Sequence, residues 1–105
     1  MKTPEAIKQE MHTMIAKFPM ANYDNHGMKG AITGLLNKAC GSNEGRKMLL
    51  KYLFGKASSK ELTGSEWIAL IYWIDLQNIG EDWLPQKDFY QEAKSIVNQK
   101  FYTFD

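Results

Sequence analysis

An uninterrupted run of apolar residues, Trp67 to Ile74, constrains the fold of this chain more than any other feature. The run is bracketed by two carboxylates, Glu66 and Asp75. A bilayer span needs roughly 20 apolar residues, so a run this short indicates a buried helix and not a membrane segment. A helix that is apolar nearly all round lies at the centre of its domain or offers a second face to a partner.

Two helix-start signals precede this run. Ser58-x-x-Glu61 and Thr63-x-x-Glu66 both fit the capping box, in which a hydroxyl and a carboxylate accept hydrogen bonds from free amides of the first turn. The first signal predicts a short turn at 58–62. The second predicts that the apolar helix begins at about residue 65.

Helical periodicity continues through the rest of the chain. Thr3-Pro4 opens the first pattern, Gly41 and Gly55 follow the next two as stop signals, and Pro85 precedes the last. We therefore predict an all-α fold, a compact single-domain bundle (1–105) of about five helices. The predicted helices are 4–18, 28–40, 43–54, 65–78 and 86–100, with the short turn at 58–62.

Composition narrows the class of protein. With 105 residues and 44% hydrophobic residues, the chain is typical of one folded domain. The lone Cys40 has no partner for an internal disulfide, and no apolar signal-peptide segment follows Met1. We expect a cytoplasmic protein that makes no membrane contact.

Charge is segregated along the sequence. Up to Lys60 there are ten Lys and Arg against four Asp and Glu, whereas the remainder has three against eight. Such asymmetry is typical of a polyanion-binding surface, but also of an ordinary solvated surface or of attraction between two copies. The first reading predicts contacts with nucleic acid through the basic 29–60 segment, at Lys29, Lys38, Arg46, Lys47, Lys51, Phe54, Lys56 and Lys60.

An alternative function uses apolar surface instead. The nearly all-apolar helix and the aromatic end of the chain, 101–104, could serve a protein-interaction or self-assembly domain. The contacting side chains would then be Trp67, Tyr72, Trp73, Phe101, Tyr102 and Phe104.

Two glycines lie four apart on the polar side of the second predicted helix. Gly30 and Gly34 should each weaken that helix by about 1 kcal/mol relative to alanine. Either another backbone approaches closely at this face, or the helix is exposed and tolerates the loss.

The residues that usually carry catalysis are scattered. His12, His26 and Cys40 stand apart, and no Cys-x-x-Cys, His-x-x-x-His or phosphate-loop spacing is present. We predict no catalytic residues, no metal site and no cofactor, and hence a protein that is not an enzyme.

One segment resembles known proteins. Phe54-Gly55-Lys56, then 58–63, Glu66, and the pairs 70–71 and 73–74 resemble a segment of small helical modules in bacteriophage and mobile-element proteins. These include the Mu-type GemA-like regulators and the ends of some phage DNA-recombination proteins. The likeness covers about residues 29–75, although the segment 31–39 replaces the His-containing, Lys-rich first helix of the Mu-type pattern. It implies a phage-type accessory module connected with DNA metabolism.

Overall fold

Five α-helices and one small hairpin form the part of the chain that the computed structural model describes, residues 1–56 and 58–101. This confirms the predicted all-α class. The helices are α1 (Pro4–Lys17), α2 (His26–Cys40), α3 (Asn43–Phe54), α4 (Gly64–Ile74) and α5 (Phe89–Phe101). A 3₁₀ turn, Ser59–Glu61, precedes α4, and strands β1 (Gln77–Ile79) and β2 (Asp82–Leu84) follow it.

Side-chain caps set where the first four helices begin. Thr3, Asn25, Ser42 and Thr63 each accept a hydrogen bond from an amide of the first turn. Because Asn25 is a cap, α2 begins two residues before the predicted position 28. Gly41 and Gly55, both with positive φ, end α2 and α3 as predicted.

The capping box of α4 is complete. Thr63 Oγ1 accepts from the Glu66 amide at 3.2 Å, and Glu66 Oε1 accepts from the Thr63 amide at 2.8 Å. The Lys56 ammonium donates to the same carboxylate oxygen at 2.5 Å. The second predicted start signal is therefore confirmed, and it also fixes a lysine of the basic segment.

The predicted extent of this helix, 65–78, was wrong at its end. Asp75 adopts a left-handed conformation (φ 47°), which ends α4 at Ile74, and the chain continues into the antiparallel pair β1–β2. Gly80, with φ 68°, is the first residue of a two-residue turn between Ile79 and Asp82. A positive φ at this position is what a tight hairpin turn requires, and glycine adopts it without strain.

The last helix also begins later than the predicted position 86. Phe89 is its first residue. A turn precedes the helix, and in this turn the Phe89 amide donates a hydrogen bond to the Gln86 carbonyl oxygen. Pro85 therefore lies in the connection from the hairpin and does not open α5.

Helix α4 packs chiefly against α1, while α2 packs against α3 and α5. Leu70, Trp73 and Ile74 of α4 are buried, and the edge of the Trp73 ring meets the Phe89 ring at a centroid distance of 4.9 Å. The apolar helix therefore contributes to the core, although α1 is its one extensive helix neighbour among the described elements. The other buried apolar side chains come from every remaining α-helix and from the loop before α4.

The loop after α1 is fastened to the start of α4. Ser65 Oγ donates to the Phe18 carbonyl at 2.5 Å and accepts from the Ala21 amide at 3.2 Å. A Cβ on Gly64 would overlap the carbonyl oxygen of Ala21. The first residue of α4 therefore has to be a glycine for this loop to lie where it does.

Candidate nucleic-acid interface

Two clefts lie near the N-terminal end of α4, each lined by one residue of its first turn. The α1–α3 cleft, of about 440 Å³, is lined from α1 by Lys8, His12 and Ile15, and otherwise by residues 51–55 and Glu66. The α2–α4 cleft, of about 310 Å³, is lined by His26, Lys29, Gly30, Thr33, Ser59, Lys60, Leu62 and Trp67. Because Glu66 and Trp67 are consecutive, the two clefts lie on either side of the same helix end.

In the α1–α3 cleft, a lysine lies over a tyrosine. The Lys8 ammonium is 4.8 Å from the centroid of the Tyr52 ring. His12 Nε2 lies 3.1 Å from the Leu53 carbonyl oxygen, so this nitrogen carries the proton and donates. Lys51 is exposed and Phe54 half-buried at the same cleft.

Lys29 of the α2–α4 cleft also lies near aromatic rings. The Lys29 ammonium is 5.9 Å from the Tyr23 ring centroid and 5.7 Å from that of Trp67. Lys60, on the 3₁₀ turn, is exposed, and so is His26 in the first turn of α2. Burial raises the pKa of the Tyr23 hydroxyl above its usual value. Each cleft thus presents two lysines; Tyr52 lines the α1–α3 cleft, whereas Tyr23 lies beside the α2–α4 cleft without lining it.

Ion pairing separates the predicted lysines into two kinds. Lys56 is paired with Glu66 at 2.5 Å, and Lys47 with Glu44 at 3.6 Å. Within residues 1–56 and 58–101, no carboxylate comes within 4.0 Å of the Lys29, Lys51 or Lys60 ammonium. We call Lys8, Lys29, Lys51 and Lys60 the cleft lysines.

The other predicted basic residues lie outside the clefts. Lys38, near the end of α2, has its ammonium 5.7 Å from the Tyr90 ring centroid of α5. Arg46 is half-buried near Cys40, and its Nε is buried without a hydrogen-bond partner in the described part of the chain. Lys47 lies one turn before Lys51 on α3. The structure therefore does not bring all the predicted residues together.

Acidic residues gather at the opposite end of α4. A third cavity there is lined by Asp75, Asp88 and Glu92, together with Met1 and Lys2. An 11-residue helix is about 16 Å long, so the cleft lysines and this acidic cavity lie at the two ends of α4. The Met1 amino group pairs with Asp88 there at 3.6 Å, so the two positive groups of the cavity offset part of the charge of its three carboxylates.

Glu92, which lines that cavity, has a structural role. It is only 2% exposed, and its Oε1 accepts from Trp73 Nε1 at 3.0 Å and from Gln86 Nε2 at 2.8 Å. Its Oε2 accepts from the Lys2 amide at 2.8 Å. Three donors satisfy this buried carboxylate and tie α4, α5 and the N-terminal segment together.

The residues of the predicted interaction surface are divided as well. Trp67 and Trp73 are 4% and 3% exposed, so their side chains belong to the core, whereas Tyr72 is 56% exposed. Tyr102 and Phe104 lie outside the described residues, and so does the side chain of Phe101.

Sequence analysis missed the exposed apolar side chains of the hairpin. Ile79, Trp83 and Leu84 are all exposed. The signal that could have found them is the dipeptide Gly80-Glu81 between two short segments, which is typical of a two-residue hairpin turn.

The glycine pair of α2 faces open space. An added Cβ at Gly30 or Gly34 would meet no heavy atom of the described chain within 4 Å. No other described helix packs against this face, although Gly30 lines the α2–α4 cleft.

Nothing in the described residues brings three His, Cys, Asp or Glu side chains close enough to hold a metal ion. Among the described helices, none has the length and apolar character needed to cross a membrane. No protein-family model, curated protein or solved structure matches the chain.

Proposed function

We propose that this protein is a non-enzymatic accessory module that binds nucleic acid, with the cleft lysines contacting phosphates. The observation that carries the proposal is their placement: four lysines line two clefts at one end of α4, and an acidic cavity lies at the other end. A polyanion would be attracted to the first end and repelled by the second.

The absence of ion pairs at three of these lysines, within the described residues, also supports phosphate binding. Lys29, Lys51 and Lys60 have no carboxylate neighbour among the described residues, so a phosphate would not have to displace an ion pair. Lys56, by contrast, stabilises the capping box through Glu66 and is assigned a structural role. The proposed contact set is thereby smaller than the sequence predicted.

Salt dependence provides the first test. If the four cleft lysines neutralise four phosphates, the slope of log K against log salt should lie between roughly −3 and −4. The affinity for a labelled oligonucleotide, measured by fluorescence anisotropy, should then fall roughly 50- to 150-fold between about 50 and 200 mM salt. Absence of binding at the lower salt concentration would refute the proposal.

Charge reversal locates the surface. Lys51→Glu with Lys60→Glu places one substitution in each cleft, and should reduce affinity at low salt at least about tenfold and lower the salt slope by about 2. Lys38→Glu with Lys87→Glu changes the net charge equally at two exposed positions away from both clefts. This control should change affinity less than about threefold, since distant exposed charges are screened. Equal losses in both double variants would contradict a localised surface.

We further propose a cytoplasmic location and an origin in a phage or mobile element. The absence of a membrane-spanning helix among the described residues is compatible with the first, and the resemblance over residues 29–75 supports the second.

Self-association through the hairpin is the second candidate function. Ile79, Trp83 and Leu84 are all exposed on this hairpin, with Ile79 and Leu84 on one face of the β1–β2 pair and Trp83 on the other. Light scattering should then give a mass that rises with concentration and returns to that of one chain in the Trp83→Ser variant. A constant monomer mass in the unmodified protein would exclude this function.

A further inference from the structure

One lysine of each cleft lies over a tyrosine ring. Lys8 is 4.8 Å from the centroid of Tyr52, which lines the α1–α3 cleft, and Lys29 is 5.9 Å from the centroid of Tyr23, which lies beside the α2–α4 cleft. Both tyrosines are half-buried, so each ring is held against the core and part of it remains accessible. Each of the two lysine–tyrosine pairs thus offers a ligand both an ammonium group and the face of an aromatic ring.

This pairing suits a nucleotide with an unpaired base. The attraction between an ammonium group and a partly exposed ring is weak compared with its attraction to a phosphate, so the ammonium can move to a phosphate at little cost. The ring face that it leaves can then take a base, and stacking on an aromatic side chain does not depend on which base is present. In a duplex the bases are already stacked on one another, and the rings would have no base to accept.

The shape of the surface favours the same ligand. Proteins that read duplex DNA usually insert a protruding helix or β-ribbon into a groove. Here the cleft lysines line concave surfaces on either side of the α4 start. A flexible strand can bend into both clefts, whereas a stiff duplex can meet only their rims.

We infer that the ligand of this surface is single-stranded nucleic acid, with bases stacked on Tyr52 and Tyr23 and phosphates held by the cleft lysines. The inference rests on the proposed function and specifies its substrate class. Because one strand occupies both clefts, affinity rises with strand length until both are filled, within the range of about 4–16 nucleotides that single-strand sites of this size cover.

The test compares a single-stranded oligonucleotide with the duplex of the same sequence, at low salt, using anisotropy. The single strand should bind at least about tenfold more tightly, and Tyr52→Leu or Tyr23→Leu should remove about tenfold of that affinity, equivalent to about 1.4 kcal/mol. Affinity for the duplex should change little in either variant.

Tyr90 provides a matched control. It is also half-buried beneath a lysine, with Lys38 5.7 Å from its centroid, but it lies on α5 outside both clefts. Tyr90→Leu should leave single-strand binding unchanged, and Tyr52→Phe, which keeps the ring, should bind as the unmodified protein does. Thermal unfolding of each variant separates loss of a stacking surface from loss of the fold.

Different outcomes would overturn the single-strand inference and the proposed function. A duplex bound as tightly as the single strand, or Tyr52 and Tyr23 variants that bind like Tyr90→Leu, would overturn the single-strand inference and leave phosphate binding intact. Failure of both ligands to bind at low salt would overturn the proposed function itself.

Discussion

Cys40 shows how one residue's chemistry follows from its position. It lies at the end of α2, against the first turn of α3, where burial raises the pKa of its thiol from 9.0 to about 11. The positive charge of nearby Arg46 opposes this change but is the smaller effect. The thiol therefore stays protonated at neutral pH, and we assign it to packing and not to nucleophilic chemistry.

The raised pKa predicts a pH dependence. Since only the thiolate reacts with iodoacetamide, the alkylation rate of the folded protein should rise with a midpoint near pH 11, and that of the urea-unfolded protein near pH 9. Because the folded state disfavours the thiolate, the stability that Cys40 contributes is complete below about pH 9 and is lost as the pH rises towards 11. A folded-state midpoint near 9 would contradict burial of this thiol.

At the scale of elements, the start of α4 joins three parts of the molecule. Its capping box holds Lys56, Ser65 holds the loop after α1, and Gly64 allows the backbone of that loop to come close. These contacts position the first turn of α4, whose Glu66 lines one cleft and whose Trp67 lines the other. The architecture of this helix start and the proposed binding surface are thus one structural unit.

Alanine substitutions at Gly64 and Gly34 compare a glycine in close contact with another backbone and a glycine with open space around it. Gly64→Ala would force a Cβ into the Ala21 carbonyl, so the free energy of unfolding should fall by more than about 2 kcal/mol. Gly34→Ala adds the same methyl group to a helix interior with open space around it, and should raise that free energy by about 1 kcal/mol. Urea denaturation monitored by circular dichroism measures both changes. Equal effects would show that the loop does not pack on α4 as described.

Local signals in the sequence predicted most elements well. The caps Thr3 and Thr63 and the stops Gly41 and Gly55 act within a few residues, so they identify helix ends without knowledge of the tertiary structure. The helix predicted to continue to residue 78 was wrong because Leu76 and Ile79 extend the apolar pattern beyond the left-handed Asp75. Apolar periodicity alone could not locate that reversal.

The candidate site was predictable only in part. Lys29, Lys51 and Lys60 were named from the charge of their segment, and the structure places them in the two clefts. Lys8 was missed because it joins the α1–α3 cleft from α1, outside the basic 29–60 segment. The pairing of Lys56 with Glu66 and the position of Lys38 beside Tyr90 likewise depend on tertiary packing.

For the whole molecule, the separation of charge along α4 is the feature that orients a ligand. The described part of the chain measures 39 × 33 × 24 Å, several times the Debye length of about 8 Å at physiological salt, so each end acts on the part of a polyanion next to it. Attraction at one end and repulsion at the other should restrict a polyanion to the clefts. The exposed hairpin follows the acidic end of α4 and is left free for a protein contact.

Chemical-shift mapping tests the central claim most directly. A ¹⁵N-labelled sample titrated with a single-stranded oligonucleotide at low salt reports where the ligand contacts the chain. We predict the largest amide shifts at cleft residues, notably Lys29, Gly30, Lys51, Gly55 and Lys60, with little change across the hairpin, 77–84. Largest shifts in the hairpin, or no shifts anywhere, would contradict binding at the cleft lysines.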